Sequence, residues 1–202
     1  MKEKIGLEFC FKGNRTYVQG PDIFDAVLKK MNIRYGKEKI TNIKYSAYEM
    51  LHSNADVYFL EQFNKNDFSK INSIITFKLD AKKTTVVVVE NDDTIECSTE
   101  YSEDIVRCNS VINNDTIIFN NSLPDSLTEI IVSMNKYYLQ RTVTNKGKWI
   151  VTKFEYNNLI DIENIEEKEL KLELTNNFNN KLTKSVIKVN NLVVGFIYFS
   201  LV

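Results

Sequence analysis

The stretch SLPDSLTEIIVSMNKYYLQR, from Ser122 to Arg141, is the one long run in this sequence with a clear helical period. Nearly everything around it reads as strand. With Leu127 as origin on a wheel of about 100° per residue, Ile130, Ile131, Met134 and Tyr138 fall within roughly 60° of it. Val132 and Leu139 widen that stripe on one flank and Tyr137 on the other, leaving Glu129, Ser133, Lys136 and Gln140 as a narrow polar strip. So wide an apolar arc predicts a helix covered on most sides rather than one resting on a flat face.

Upstream, Ile5 to Lys12 alternates around Ile5, Leu7, Phe9 and Phe11, the period of a strand. Pro21 then suits the first turn of a second helix, PDIFDAVLKKM, because its missing N–H would be unpaired there anyway. That helix places Ile23, Phe24, Val27, Leu28 and Met31 on one face. Strands are expected at Ile40–Leu51, Ala55–Phe63, Ile71–Asp80 and Thr84–Glu90, the last two joined by DAKK. The run TTVVVVE is almost unbroken and predicts a strand covered on both faces. Thr94 to Val111 is irregular, and DTIIFNN reads as a short strand leading to the opening helix. Beyond that helix, strands are expected at Lys148–Ile160, Glu169–Thr175, Lys184–Val189 and Leu192–Leu201. Asn190 and Asn191 give the last pair a two-residue hairpin turn, since Asn tolerates the left-handed conformation.

The two halves, 1–93 and 94–202, therefore share one order: a short strand, a Pro-marked helix, then several antiparallel-type strands. The expected fold class is α+β.

Composition excludes several function classes. The 202 residues carry a net charge of −1 from 26 basic and 27 acidic side chains mixed along the chain, so no footprint for nucleic acid or an anionic membrane is visible. No apolar core of signal-peptide or membrane-spanning length occurs, and a cytoplasmic location is the expectation. Cys10, Cys97 and Cys108 lack metal-ligand spacing and lie among strands, which reads as buried free thiols. No phosphate-cradling glycine loop, nucleophile elbow or Cys/His cluster is present, so neither metal nor cofactor is expected.

A strand, a long helix and an antiparallel sheet able to wrap it is an order that resembles the hotdog superfamily of acyl-thioester dehydratases and thioesterases. The local carriers are YVQGPDIFDAVLKK and SLPDSLTEIIVSMNKYYLQ, each a loop running into a helix, and two copies resemble a double hotdog. The resemblance implies two repeats packed as one pseudo-dimer, each a long helix wrapped by an antiparallel sheet. Its partners would be acyl-CoA or acyl carrier protein, with a homodimer as a further expectation.

In such proteins the thioester carbonyl lies near a helix N-terminus, where backbone N–H groups polarise it and a carboxylate or His does acid–base work. Carried onto this chain, the substrate-binding positions are Gln19 and Gly20 before the first helix and Ser122 and Asp125 before the second. A turn or cap accounts for Gly20 as well, and Ser122 with Asp125 also has the form of a capping box. Asp22 and Asp25 are the candidate carboxylate bases, although they lie about 190° and 130° from the apolar face of their helix. Asp near a helix start is also expected for capping and dipole reasons. The remaining candidate is His52, the single histidine, expected at a strand end some twenty residues beyond the helix, whereas a dehydratase carries its His before the helix, where this chain has Gln19. The sequence thus points to an acyl-thioester binding protein related to thioesterases or dehydratases. The alternative is a non-catalytic interaction module that retains the scaffold without an active site.

Overall fold

The computed structural model describes residues 4–36, 40–120, 126–143, 146–158 and 169–202. Two compact units divide the chain, Met1–Ser102 and Glu103–Val202.

In the first unit β1 (Lys4–Leu7) and β2 (Phe11–Lys12) precede α1 (Gly20–Tyr35), then β3 (Ile40–Ala47), β4 (Ala55–Leu60), β5 (Ser73–Leu79), β6 (Lys82–Glu90) and β7 (Ser98–Thr99) follow. The main strands pair antiparallel in the order β1-β4-β6-β5-β3. α1 buries Pro21, Ile23, Phe24, Val27, Leu28 and Met31, the face its periodicity predicts. The run from Thr84 to Val88 is buried at every position. Successive side chains of a strand point to opposite faces, so both faces of β6 are covered; Val87 packs with Leu60 and Ile71 under Tyr58, Phe68 and Ile74. The β5–β6 connection is tighter than DAKK suggests. Leu79 pairs with Lys82 around Asp80 and Ala81, which take φ 46° and 70°, the left-handed pair a two-residue hairpin needs.

The first strand does not run unbroken to Lys12. After Leu7 the chain leaves β4, Phe9 N–H donates to Asn54 Oδ1 at 2.9 Å, and β2 pairs parallel with β7 instead. Phe11 N–H donates to Cys97 O at 3.0 Å and Gly13 N–H to Thr99 O at 2.8 Å. A disulfide between Cys10 and Cys97 clips the same place. The expectation of buried free thiols is therefore corrected: two of the three cysteines are bonded to each other, and the free one, Cys108, is exposed. Spacing could not reveal a pair 87 residues apart. The clip also binds residues 97–99 to the first unit, although the sequence reading assigns them to the second half.

In the second unit α2 (Asp104–Cys108), β8 (Ser110–Asn113), β9 (Thr116–Phe119), α3 (Leu127–Thr142), β10 (Trp149–Asn158), β11 (Leu170–Phe178), β12 (Leu182–Val189) and β13 (Leu192–Leu201) follow in order. Its strands pair antiparallel as β10-β13-β12-β11-β9-β8. α3 buries ten residues, from Leu127 to Leu139, as the wide arc requires. Ser133, placed on the polar strip by the wheel, is among them, and so is Asn135. α2, which the sequence pattern does not announce, lies over the remaining polar edge: Lys136 Nζ pairs with Glu103 Oε1 at 2.7 Å. The helix starts later than the quoted stretch. Ser126 is its cap, with Ser126 Oγ accepting from Glu129 N–H at 3.2 Å. Among the described residues, no helix is long and apolar enough to cross a membrane, and no group of three or more His, Cys, Asp or Glu could hold a metal.

Candidate functional site

The start of α1 is built by three segments of the first unit. Gln19 is the cap residue, in extended conformation (φ −74°, ψ 147°), and its side chain makes no capping hydrogen bond. Ile23 N–H is satisfied by Gln19 O at 3.2 Å, and Pro21 has no N–H to satisfy. The N–H groups of Gly20 and Asp22 have no acceptor within the helix by position. Gln19 Nε2 is buried and has no hydrogen-bond partner. A ligand oxygen at this helix start would therefore meet a positive dipole end and unused donors.

Asp22 is half-buried, with one oxygen 2.8 Å from Lys12 Nζ; its second oxygen is buried and unpartnered. Lys12 is delivered by β2, the strand that the disulfide holds in place. Asp25 lies half-buried on the same helix.

His52 is twenty-seven residues beyond Asp25 in sequence, yet it lies against the approach to α1. Val18 N–H donates to Leu51 O at 2.8 Å in an isolated antiparallel bridge. His52 Nδ1 is 2.7 Å from Thr16 O. A carbonyl oxygen only accepts, so Nδ1 carries the proton and, in the neutral ring, Nε2 carries the lone pair. The backbone N–H groups of His52 and Ser53 both donate to Glu90 Oε1, the second at 3.0 Å. Lys70 Nζ meets Glu90 Oε2 at 2.8 Å. Burial pushes the Glu90 carboxyl up, but the Lys70 ammonium and the two N–H donors outweigh it and hold the group below the ordinary carboxylate range. The ring is exposed while its backbone is anchored, an arrangement that can accept a proton from solvent or from a bound water.

Gln19, Gly20 and Asp22 thus share one helix start, and His52 is tied to the segment leading into it. Ser122 and Asp125 lie outside the described residues. Lys12, Thr16 and Glu90 also build this region and were not singled out from sequence; for Lys12 and Glu90 the only signal was a charge at the end of an apolar strand.

No protein-family model matches the chain, and no curated protein matches its sequence. Solved structures do match. The tesB protein of Mycobacterium avium subs paratuberculosis has a TM-score of 0.54 at 7% identity, covering 98% of this chain and 93% of that one. The dehydratase domain of PpsC from Mycobacterium tuberculosis, in complex with C12:1-CoA, gives 0.52 at 7% identity over 98% and 92%. An acyl-ACP thioesterase from Bacteroides thetaiotaomicron gives 0.51 at 10% identity over 98% and 97%. These are hotdog proteins, and this chain is similar to them in fold: it is an α+β, mostly antiparallel hotdog structure.

Proposed function

We propose that this hotdog-fold chain binds an acyl thioester, carried on coenzyme A or an acyl carrier protein, with the carbonyl oxygen at the start of α1. We read it as two hotdog-like halves, each organised on one long helix, α1 and α3. The observation that carries the binding proposal is the unpartnered, buried Gln19 Nε2 beside a helix N-terminus that lacks a side-chain cap. A buried donor without a partner costs about 1–3 kcal/mol, and a ligand oxygen that accepts from it removes that cost. Two of the structural neighbours lend weight to this: one is a dehydratase domain in complex with C12:1-CoA, the other an acyl-ACP thioesterase.

Thioester hydrolysis follows from the same placement. A water attacks the carbonyl carbon and gives its proton to His52 Nε2, while Gln19 and the Gly20 N–H carry the developing oxyanion. The C–S bond then breaks, and the thiolate takes the proton back from His52. Asp22 and Asp25 are the alternative bases. The Lys12 ion pair occupies one oxygen of Asp22, and this favours the second reading, a module that binds without turnover.

The test is octanoyl-CoA binding together with CoA-thiol release. Gln19→Ala should weaken binding about tenfold, the effect expected for losing one good hydrogen bond to a developing or partial charge. His52→Ala should retain binding and lose thiol release, whereas Asp22→Asn or Asp25→Asn would lose it if a carboxylate is the base. Saturable binding without thiol release in the wild type would assign the non-catalytic reading. Absence of binding would end the proposal.

A further inference from the structure

The helix–sheet interface of the second unit contains polar atoms that its own packing leaves unused. Asn135, on the covered face of α3, is 1% exposed, and Thr183 and Ser185 of β12 are 0% and 1% exposed. Ser185 Oγ lies 2.7 Å from Asn135 Oδ1 and must donate to it, because an amide oxygen only accepts. That bond fixes the amide with its nitrogen turned to other partners. Asn135 Nδ2 has none, and neither has Thr183 Oγ1. Thr183 and Ser185 are two apart on one strand, so their side chains share a face about 7 Å apart. The Asn135 amide is held by the second, so its free nitrogen lies on the same helix–sheet interface as Thr183 Oγ1.

Buried polar groups are almost always partnered, so two orphans beside one satisfied pair call for an explanation. The register partners that share their face are Phe199, opposite Thr183, and Ile197, opposite Ser185. On α3, Ile131, Tyr138 and Leu139 are buried on the turns adjoining Asn135. This neutral, apolar frame would penalise a carboxylate or phosphate heavily but admits an uncharged oxygen. Thr183 adjoins the exposed rim: Leu182 is 38% exposed, and the hairpin to Phe178 lies next to it.

The geometry points to a second binding site, in which Asn135 Nδ2 and Thr183 Oγ1 hold the neutral carbonyl oxygen of a thioester or amide, with Ser185 as a positioning residue. This site is separate from the one at α1 and does not depend on it. Acyl-CoA contains both carbonyl types, so the probes separate them: octanoyl-CoA carries both, free CoA only amides, S-methyl octanethioate only the thioester carbonyl, and octanoate a charged control.

Thr183→Val keeps the shape and deletes one orphan. It should leave the melting temperature unchanged or raised, while weakening octanoyl-CoA and one of the two single-carbonyl probes by about three- to tenfold, the range of one neutral hydrogen bond; octanoate should not respond. The probe that responds identifies the carbonyl. Affinities unchanged for every probe, or no binding of any, would mean that the orphans hold internal water only and would overturn the proposal. So would a lowered melting temperature, which would give the hydroxyl to the fold. Gln19→Ala run in parallel keeps the two sites apart: loss of octanoyl-CoA in that variant alone leaves the α1 reading standing and removes this one, and the reverse removes the other.

Discussion

Two single residues carry consequences that can be measured directly. Glu90 joins Lys70 to the backbone of His52 and Ser53, and its carboxyl is held below the ordinary range. A depressed carboxylate contributes stability that is present above its unfolded pKa and is lost as pH falls through the folded one. With an unfolded value of about 4.3, that loss is complete only in acid. Glu90→Gln should therefore show a lower urea midpoint than wild type at pH 7, with the difference shrinking as pH falls below about 4.3, the unfolded value. A difference constant with pH would contradict the ion-pair account. Gly195 is the second case. A Cβ built there would lie 2.0 Å from Glu155 O and 3.0 Å from Tyr156 Cδ1, across the β10–β13 pairing. Backbone cannot withdraw as a flexible side chain can, so Gly195→Ala should cost at least about 2 kcal/mol in denaturant unfolding.

Among the elements, the β2–β7 clip shows how a short contact can be made durable. Two backbone hydrogen bonds would not by themselves hold a two-residue parallel ladder, but the Cys10–Cys97 bond closes a loop of 87 residues. Closing a loop of that length is worth about 4.5 kcal/mol in the chain-entropy account. Cys10→Ser should lose about that amount in denaturant unfolding, and wild type in excess dithiothreitol should fall to the same midpoint. The element types were legible where one physical pattern dominated. The faces of α1 and the wide arc of α3 followed from helical period, and the double-sided burial of β6 followed from its valine run. The clip was not legible, because a strand that changes partners after Leu7 looks the same in sequence as one that continues. α2 was hidden for a related reason: five residues are too few to show a period. His52 was read as remote because sequence distance concealed the Val18–Leu51 bridge that brings its turn against the approach to α1. Buried Asn135 and Ser133 were missed since a wheel ranks positions by polarity, whereas burial here is set by what surrounds α3.

For the molecule as a whole, each compact unit joins one sixteen-residue helix to an antiparallel sheet. The structural neighbours share that fold at 7–10% identity, so they establish architecture and leave chemistry to the residues of this chain. Those residues place unused donors at the start of α1 and a histidine beside its approach. The most direct measurement is a crystal structure with a ketone analogue of octanoyl-CoA, in which a methylene replaces the thioester sulfur. Its carbonyl oxygen should lie within about 3 Å of Gln19 Nε2 or the Gly20 N–H. A bound analogue whose carbonyl lies away from both, with the α1 start unchanged, would contradict that placement.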